Sequence, residues 1–270
     1  MLILLAAAYW YLVWHRLLAY LRYFQQEGYE HLRFLRWVHL RSLTDPALWL
    51  ALVAGLIAAS APLAAALVFM VGALLLVLAQ PDPRRTGKIP LKLTWRATRV
   101  LAAAFALASA VWVVLVLAPA AEPVRAAAAA SAALLAAAPL LLIAANACLM
   151  PYERHVQRGY EAEARERVAQ VQPFIIGITG SYGKSSTKAI LAHILQYKAP
   201  TLAAFGSINT LMGLTRHIRE ELVIGHKFMV VEMGAFRTGS IRGLCRLTPH
   251  SAALITAVGD MHLERFGSID

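Results

Sequence analysis

The stretch FIIGITGSYGKSS, from Phe174 to Ser186, decides the fold of the second half of this chain. Phe174 to Ile178 is a short apolar run and reads as a buried strand. A tight turn comes next, Gly180-Ser181-Tyr182-Gly183, and a helix opens at Lys184-Ser185-Ser186. Strand, glycine turn and helix start together make a phosphate site. Glycines let backbone N–H groups approach an anion, and the helix start adds unpaired donors and the positive end of its dipole. Lys184 is placed to reach the outer phosphates of a nucleotide, and the Ser185 hydroxyl to hold Mg²⁺. The full phosphate-loop pattern has glycine where Ile178 stands. The alternative is an ordinary strand-to-helix turn that binds nothing.

Working outward, the pattern around this stretch alternates. Strand 174–179 precedes helix 184–197, and a strand near 200–204 precedes a helix near 211–222. Strand 227–232 precedes a helix near 238–247, and strand 252–257 ends the series. Such alternation predicts α/β architecture, a parallel sheet covered on both faces, with ligands at the carboxyl ends of the strands. The phosphate loop stands at one such end, and so do Glu232 and the segment Gly259-Asp260-Met261-His262. Glu232 closes the apolar run Phe228 to Val231, where an unpaired carboxylate is costly. It either meets Mg²⁺, pairs with Arg237 or caps the next helix. His262 comes after the last strand and is either a second ligand or an ordinary histidine.

Upstream the composition changes. The chain is 59% hydrophobic with a mean hydropathy of +0.59, and nearly all its long apolar runs fall in residues 1–150. We expect an α-helical membrane region of about five spans over 1–150. A charged linker helix over 151–172 and the α/β domain over 173–270 complete the chain. The first span covers residues 2–14 and extends toward Tyr20 as a retained anchor. The arginine-rich stretch through Arg41 reads as a helix on the membrane surface or a solvated connector. Ala47 to Ala79 exceeds one straight crossing and is either one tilted helix or two short helices turning near Ser60-Ala61-Pro62; the basic residues on both sides of it favour the hairpin. Basic residues on both sides of that run, Arg16 to Arg41 and Arg84 to Arg99, then face the same cytoplasmic side. Thr98 to Leu117 and Ala126 to Met150 complete the set, leaving the N-terminus outside and the segment after Pro151 inside. The net charge of +11 sits beside apolar spans, which points to topology and anionic lipid and not to nucleic acid. Cys148 and Cys245 have no metal spacing and read as packing residues.

Four blocks in order carry a family resemblance: GITGSYGKSSTK (177–188), GSINTLMGL (206–214), VEMGAFRTGSI (231–241) and ITAVGDMHLERFGS (255–268). On these the chain resembles the central domain of the ATP-dependent Mur ligases over roughly residues 174–270, most closely the branch that adds D-alanyl-D-alanine. The resemblance implies that Gly180, Ser181, Gly183, Lys184, Ser185 and Ser186 bind the ATP phosphates. It implies that Ser185, Glu232 and His262 are magnesium ligands and that Lys184, His262 and Asn209 serve catalysis. Asn209 matches the first asparagine of the family's Asn-Asn element, and Thr210 departs from the second.

The function implied by this resemblance is that of an amide ligase with ATP and Mg²⁺ as cofactors. It would activate a carboxylate as an acyl-phosphate for attack by an amine in peptidoglycan precursor synthesis. The expected partners are membrane lipids, a UDP-linked or lipid-linked cell-wall precursor, and an amino acid or dipeptide. The expected location is the cell membrane, multi-pass, with the ATP-binding domain cytoplasmic. Five membrane spans stand where the family has its soluble UDP-sugar domain. The chain reaches only Asp270, so the family's later parts are expected to be missing and the domain partial. The alternatives are a polyglutamate-synthase-like ligase and a non-catalytic ATP-binding membrane scaffold.

Overall fold

The computed structural model describes residues 2–58, 60–79, 82–85, 89–117, 122–236 and 238–260 of the 270. The chain divides into two compact units, Met1–Glu153 and Arg154–Asp270.

The first unit is helical: α1 (Leu2–Gln26), α2 (His31–Arg41), a short 3-10 turn (Ser42–Thr44), α3 (Pro46–Ala58), α4 (Pro62–Ala79), α5 (Trp95–Leu117), α6 (Pro123–Ala136) and the start of α7 (Ala138–Val171). α3 packs on α4 and α6, and α1 packs on α4, α5 and α6. Alanine makes these contacts close. Ala51, Ala54 and Ala58 of α3 and Ala127, Ala128, Ala130 and Ala132 of α6 are all buried. Small side chains let helix backbones approach and gain dispersion contacts. Larger residues fill the space beside them: Tyr9 stacks on Trp112 at 5.5 Å, and the Trp112 indole donates to Ser131 Oγ at 2.9 Å.

Two polar clusters are built into this unit. Pro139 lies four residues after Leu135 and has no N–H, so the Leu135 carbonyl loses its helical donor. Helix α6 ends there, and α7 leaves at a bend of 68°. Arg16 replaces the missing donor, giving its Nε to Leu135 O at 2.8 Å. The same guanidinium meets Asp45 at 2.8 Å and the Tyr20 hydroxyl at 2.9 Å. Asp45 in turn accepts from Ala47 N at 3.0 Å and so caps α3. In the second cluster, buried Asn146 accepts from Arg96 at 3.2 Å and lies 2.9 Å from His31 Nε2. Asn146 is thus a helix–helix hydrogen-bonding residue.

Five spans are not confirmed. Among the described residues one helix, Trp95–Leu117, is long and apolar enough to cross a membrane. Counting each bent pair as one span, His31–Thr44 with Pro46–Ala58 and Pro123–Ala136 with Ala138–Val171, raises the number to three. The 47–79 run does break near Ser60-Ala61-Pro62, the position expected for the hairpin turn. But at 1.5 Å per residue α3 extends only about 20 Å and α4 about 27 Å, against a hydrocarbon core of about 30 Å. Apolar composition does not set helix length here: α4 opens at Pro62, and α6 ends just before Pro139. Helix α2 packs Phe34 against Phe24 at 4.7 Å and leaves Leu32 and Leu40 exposed.

The second unit contains the rest of α7 and a βα series: β1 (Phe174–Thr179), α8 (Lys184–Gln196), β2 (Thr201–Ala203), α9 (Leu211–Glu221), β3 (Phe228–Glu232), α10 (Ser240–Leu247) and β4 (Ala252–Ile255). The elements fall where the alternation places them. All pairings are parallel, in the order β2-β3-β1-β4. Side chains alternate across the sheet. Ile175, Met229 and Val231 pack with Leu214, Ile218, Leu244 and Leu247 on one face, and Ile178 and Val230 pack with Ala192 of α8 on the other. β1 is therefore central, and its carboxyl end delivers the phosphate loop between two neighbouring strand ends.

Candidate functional site: a phosphate loop and a buried carboxylate

Between β1 and α8 the chain turns on two glycines in the left-handed region, Gly180 at φ +137 and Gly183 at φ +79. Gly180 is required by space as well as by backbone. A Cβ there would sit 2.2 Å from Thr256 Oγ1 and 2.9 Å from the Ala257 carbonyl oxygen. The loop is pinned to the segment after β4. Ser181 N donates to Ala257 O at 2.6 Å, Gly259 N donates to Ser181 Oγ at 2.9 Å, and Thr256 Oγ1 donates to Tyr182 O at 2.6 Å. Gly183 is the N-cap of α8 and no side chain caps that helix end. This is an N-terminus arranged for an anion. Lys184 lies over the turn, its Nζ donating to Gly180 O at 2.5 Å and to Ser181 O at 3.1 Å. A phosphate would offer that ammonium a charged acceptor in place of two neutral ones.

Glu232 lies at the end of β3, level with Ile178 of β1, and is 2% exposed. Three donors hold it. Ser185 Oγ donates to Oε2 at 2.7 Å, Asn209 Nδ2 to Oε1 at 3.0 Å, and Lys188 Nζ stands 3.4 Å from Oε2. Asn209 is anchored by its backbone too, since its carbonyl accepts from Gly234 N at 2.9 Å. Ser207 Oγ lies 3.4 Å from Ser185 Oγ. Thr210 caps α9, accepting from Gly213 N at 3.3 Å. The Thr210 hydroxyl thus serves the helix start at the position where the resemblance implies Asn.

The structure therefore brings together Gly180, Ser181, Gly183, Lys184, Ser185, Asn209 and Glu232, with Ser186 in the first turn of α8. His262 and Arg237 lie outside the described residues. In the sheet β1 separates β3 from β4, so the last strand is not the neighbour of β3. The segment after β4 reaches the loop directly, through Thr256 and Gly259. Two residues of the site escape the sequence reading, Lys188 and Thr256, while Gly259 lies where the segment after the last strand is expected to meet the site. The signal for Lys188 is its place four residues after Lys184 on one helix face, with a buried carboxylate nearby in need of charge.

Among the described residues no three His, Cys, Asp or Glu side chains gather as a metal set. Magnesium does not need one. It takes hard oxygen ligands and keeps waters and phosphate oxygens in its shell. Ser185 Oγ and Glu232 Oε2, 2.7 Å apart at the mouth of the phosphate loop, fit that chemistry.

Residues 178–270 match the Mur ligase middle domain. The likeness to the Mur ligases holds for this domain. The UDP-N-acetylmuramoyl-tripeptide–D-alanyl-D-alanine ligase of Mycobacterium tuberculosis is 37% identical over 98 residues, 35% of this chain and 18% of the relative. The enzyme of that name from Escherichia coli K12 is 35% identical over 100 residues, 37% of this chain and 22% of the relative. A crystal structure of MurF from Acinetobacter baumannii is 33% identical, with a TM-score of 0.41, covering 42% of this chain and 25% of that one. The chain thus spans about a fifth of the length of the curated relatives it matches.

Proposed function

We propose that the second unit is the ATP-binding part of a Mur-type ligase that forms a C–N bond on a cell-wall precursor. The observation that carries this reading is the Ser185–Glu232–Asn209 arrangement at a phosphate loop, inside a segment matching the Mur ligase middle domain. In this reading the turn from Gly180 to Gly183 and the start of α8 bind the ATP phosphates, and Lys184 turns from the loop carbonyls to the outer phosphate. Ser185 and Glu232 hold Mg²⁺, which when bound offsets negative charge during phosphoryl transfer. Asn209 orients Glu232. The transfer activates a carboxylate of the precursor as an acyl-phosphate, and an amino acid or dipeptide amine then displaces phosphate to give the amide. The precursor is UDP-linked or lipid-linked. His262 is retained in this proposal as a further metal ligand.

We further propose that the first unit places this domain at the cell membrane with the ATP site on the cytoplasmic side. The length and apolarity of Trp95–Leu117 support that reading, as do the exposed leucines of α4 and the basic residues flanking the apolar helices.

Lys184→Ala tests the nucleotide assignment. In the full chain, purified in detergent, calorimetry with Mg-ATP should show a loss of affinity on the order of 100-fold, as expected for a lost charge-assisted contact to phosphate. Equal affinity in both proteins would overturn the phosphate-loop reading.

A further inference from the structure

Lys188 sits at the second turn of α8 and is 3% exposed. Lysines are almost never buried this far unless paired. Its ammonium donates to the Gly206 carbonyl and stands 3.4 Å from Glu232 Oε2. We propose that Lys188 is a positioning residue that takes the place of a divalent cation at Glu232. It balances the buried carboxylate in the metal-free site and cedes that role when Mg²⁺ binds.

The geometry supports a hold that can be exchanged. The closer partner of Lys188 is Gly206 O, not the carboxylate. Oε2 receives its shorter hydrogen bond from Ser185, at 2.7 Å. So Lys188 supplies charge without enclosing the oxygen, and Oε2 keeps its second neighbour on the phosphate-loop side. The same ammonium ties two loops together. Gly206 opens the segment that brings Ser207 to Ser185 and Asn209 to Glu232. Without Lys188 the carboxylate would lose its counter-charge and the 206–209 segment one of its anchors. An unpaired buried charge is costly, and a divalent ion at the same carboxylate is the natural replacement.

This inference rests on the metal reading proposed above, and its test reads local stability instead of turnover. Hydrogen exchange would be followed in the full chain in detergent, in peptides covering 206–210 and 228–234, in chelator and in millimolar MgCl₂ at matched ionic strength. Lys188→Met should speed exchange in chelator on the order of 100-fold, the size expected when a buried pair is broken. Mg²⁺ should restore most of the protection, while matched NaCl should not. The double variant Lys188→Met with Glu232→Gln removes both charges and should be protected without Mg²⁺. Should the single variant fail to fold, recovery in the double variant still supports the counter-charge. Wild-type exchange in the single variant, or a double variant as open as the single, would overturn it. Recovery in the double variant without any Mg²⁺ effect would overturn the exchange of Lys188 for the metal. ATP binding, tested by Lys184→Ala, would stand apart from that result.

Discussion

Both units bury charge, and they do so in opposite ways. In the helical unit the Arg16 guanidinium is held by Leu135 O, Asp45 and Tyr20. Its task arises from the fold itself: Pro139 strips a donor from a carbonyl, and arginine returns one. In the α/β unit the Glu232 carboxylate is satisfied by Ser185, Asn209 and Lys188, which lie at the mouth of a phosphate loop. In the proposed reading each of those donors belongs to a segment that serves the ATP phosphates or the metal. Buried charge alone does not mark a site. A charge whose partners complete broken secondary structure is architecture, and one whose partners converge on an anion-binding helix start is chemistry.

The sharpest way to break this comparison is to remove Arg16. Arg16→Met leaves Asp45 without its cation and takes the arginine donor from Leu135 O, at a cost of about 3–5 kcal/mol. Hydrogen exchange should rise across the end of α6 and the start of α3, with ATP affinity unchanged. A fall in ATP affinity as large as that of Lys184→Ala would mean that Arg16 is more than architecture. Loss of protection confined to residues far from Leu135 would remove its assigned role.

Gly180→Ala is expected to act more weakly on stability and more strongly on binding. The new Cβ would press on Thr256 Oγ1 and the Ala257 carbonyl, at a φ of +137 that side chains avoid. The strain is about 1–3 kcal/mol. It should be relieved by moving the loop away from the segment after β4, so Mg-ATP affinity measured by calorimetry should fall while α6 and α7 keep their exchange rates. Unchanged affinity would show that the pinned loop is not the binding conformation.

How much of the molecule is legible in its sequence depends on the range of the forces involved. The strand Phe174 to Thr179, its glycine turn and the helix from Lys184 are readable because their pattern is local. So are the remaining strands, each an apolar run beside a helical period. Strand order is not readable, since parallel pairing is decided by crossovers that leave no local mark. β3 and β4 follow one another along the chain, and β1 stands between them in the sheet. Lys188 is hidden for a related reason. A lysine in a helix looks like a solvated one until the sheet brings a carboxylate against it. In the first unit, apolar composition suggests five spans, but Pro139 and the short α3 show that composition does not fix helix length.

The smallest expected effect sharpens the comparison from within the α/β unit, at α9. His217 has its Nε2 buried without a hydrogen-bond partner, and burial lowers its pKa below the ordinary histidine value; Glu221 and Glu220 pull the other way and Lys188 adds to the fall, and burial wins. The unfolded chain therefore binds the proton more readily than the folded one. The stability this group contributes is fully present above the unfolded histidine pKa of about 6.5 and declines as pH falls below it. His217→Gln removes that proton uptake. Exchange protection of α9 between pH 7.5 and 5.5 should decline less in the variant than in the wild type, while Arg16 and its partners show no such difference. An identical decline in both proteins would show that His217 does not carry the acid sensitivity of the α/β unit, and that the positive charge of Lys188 is screened from α9 by its contacts with Glu232 and Gly206.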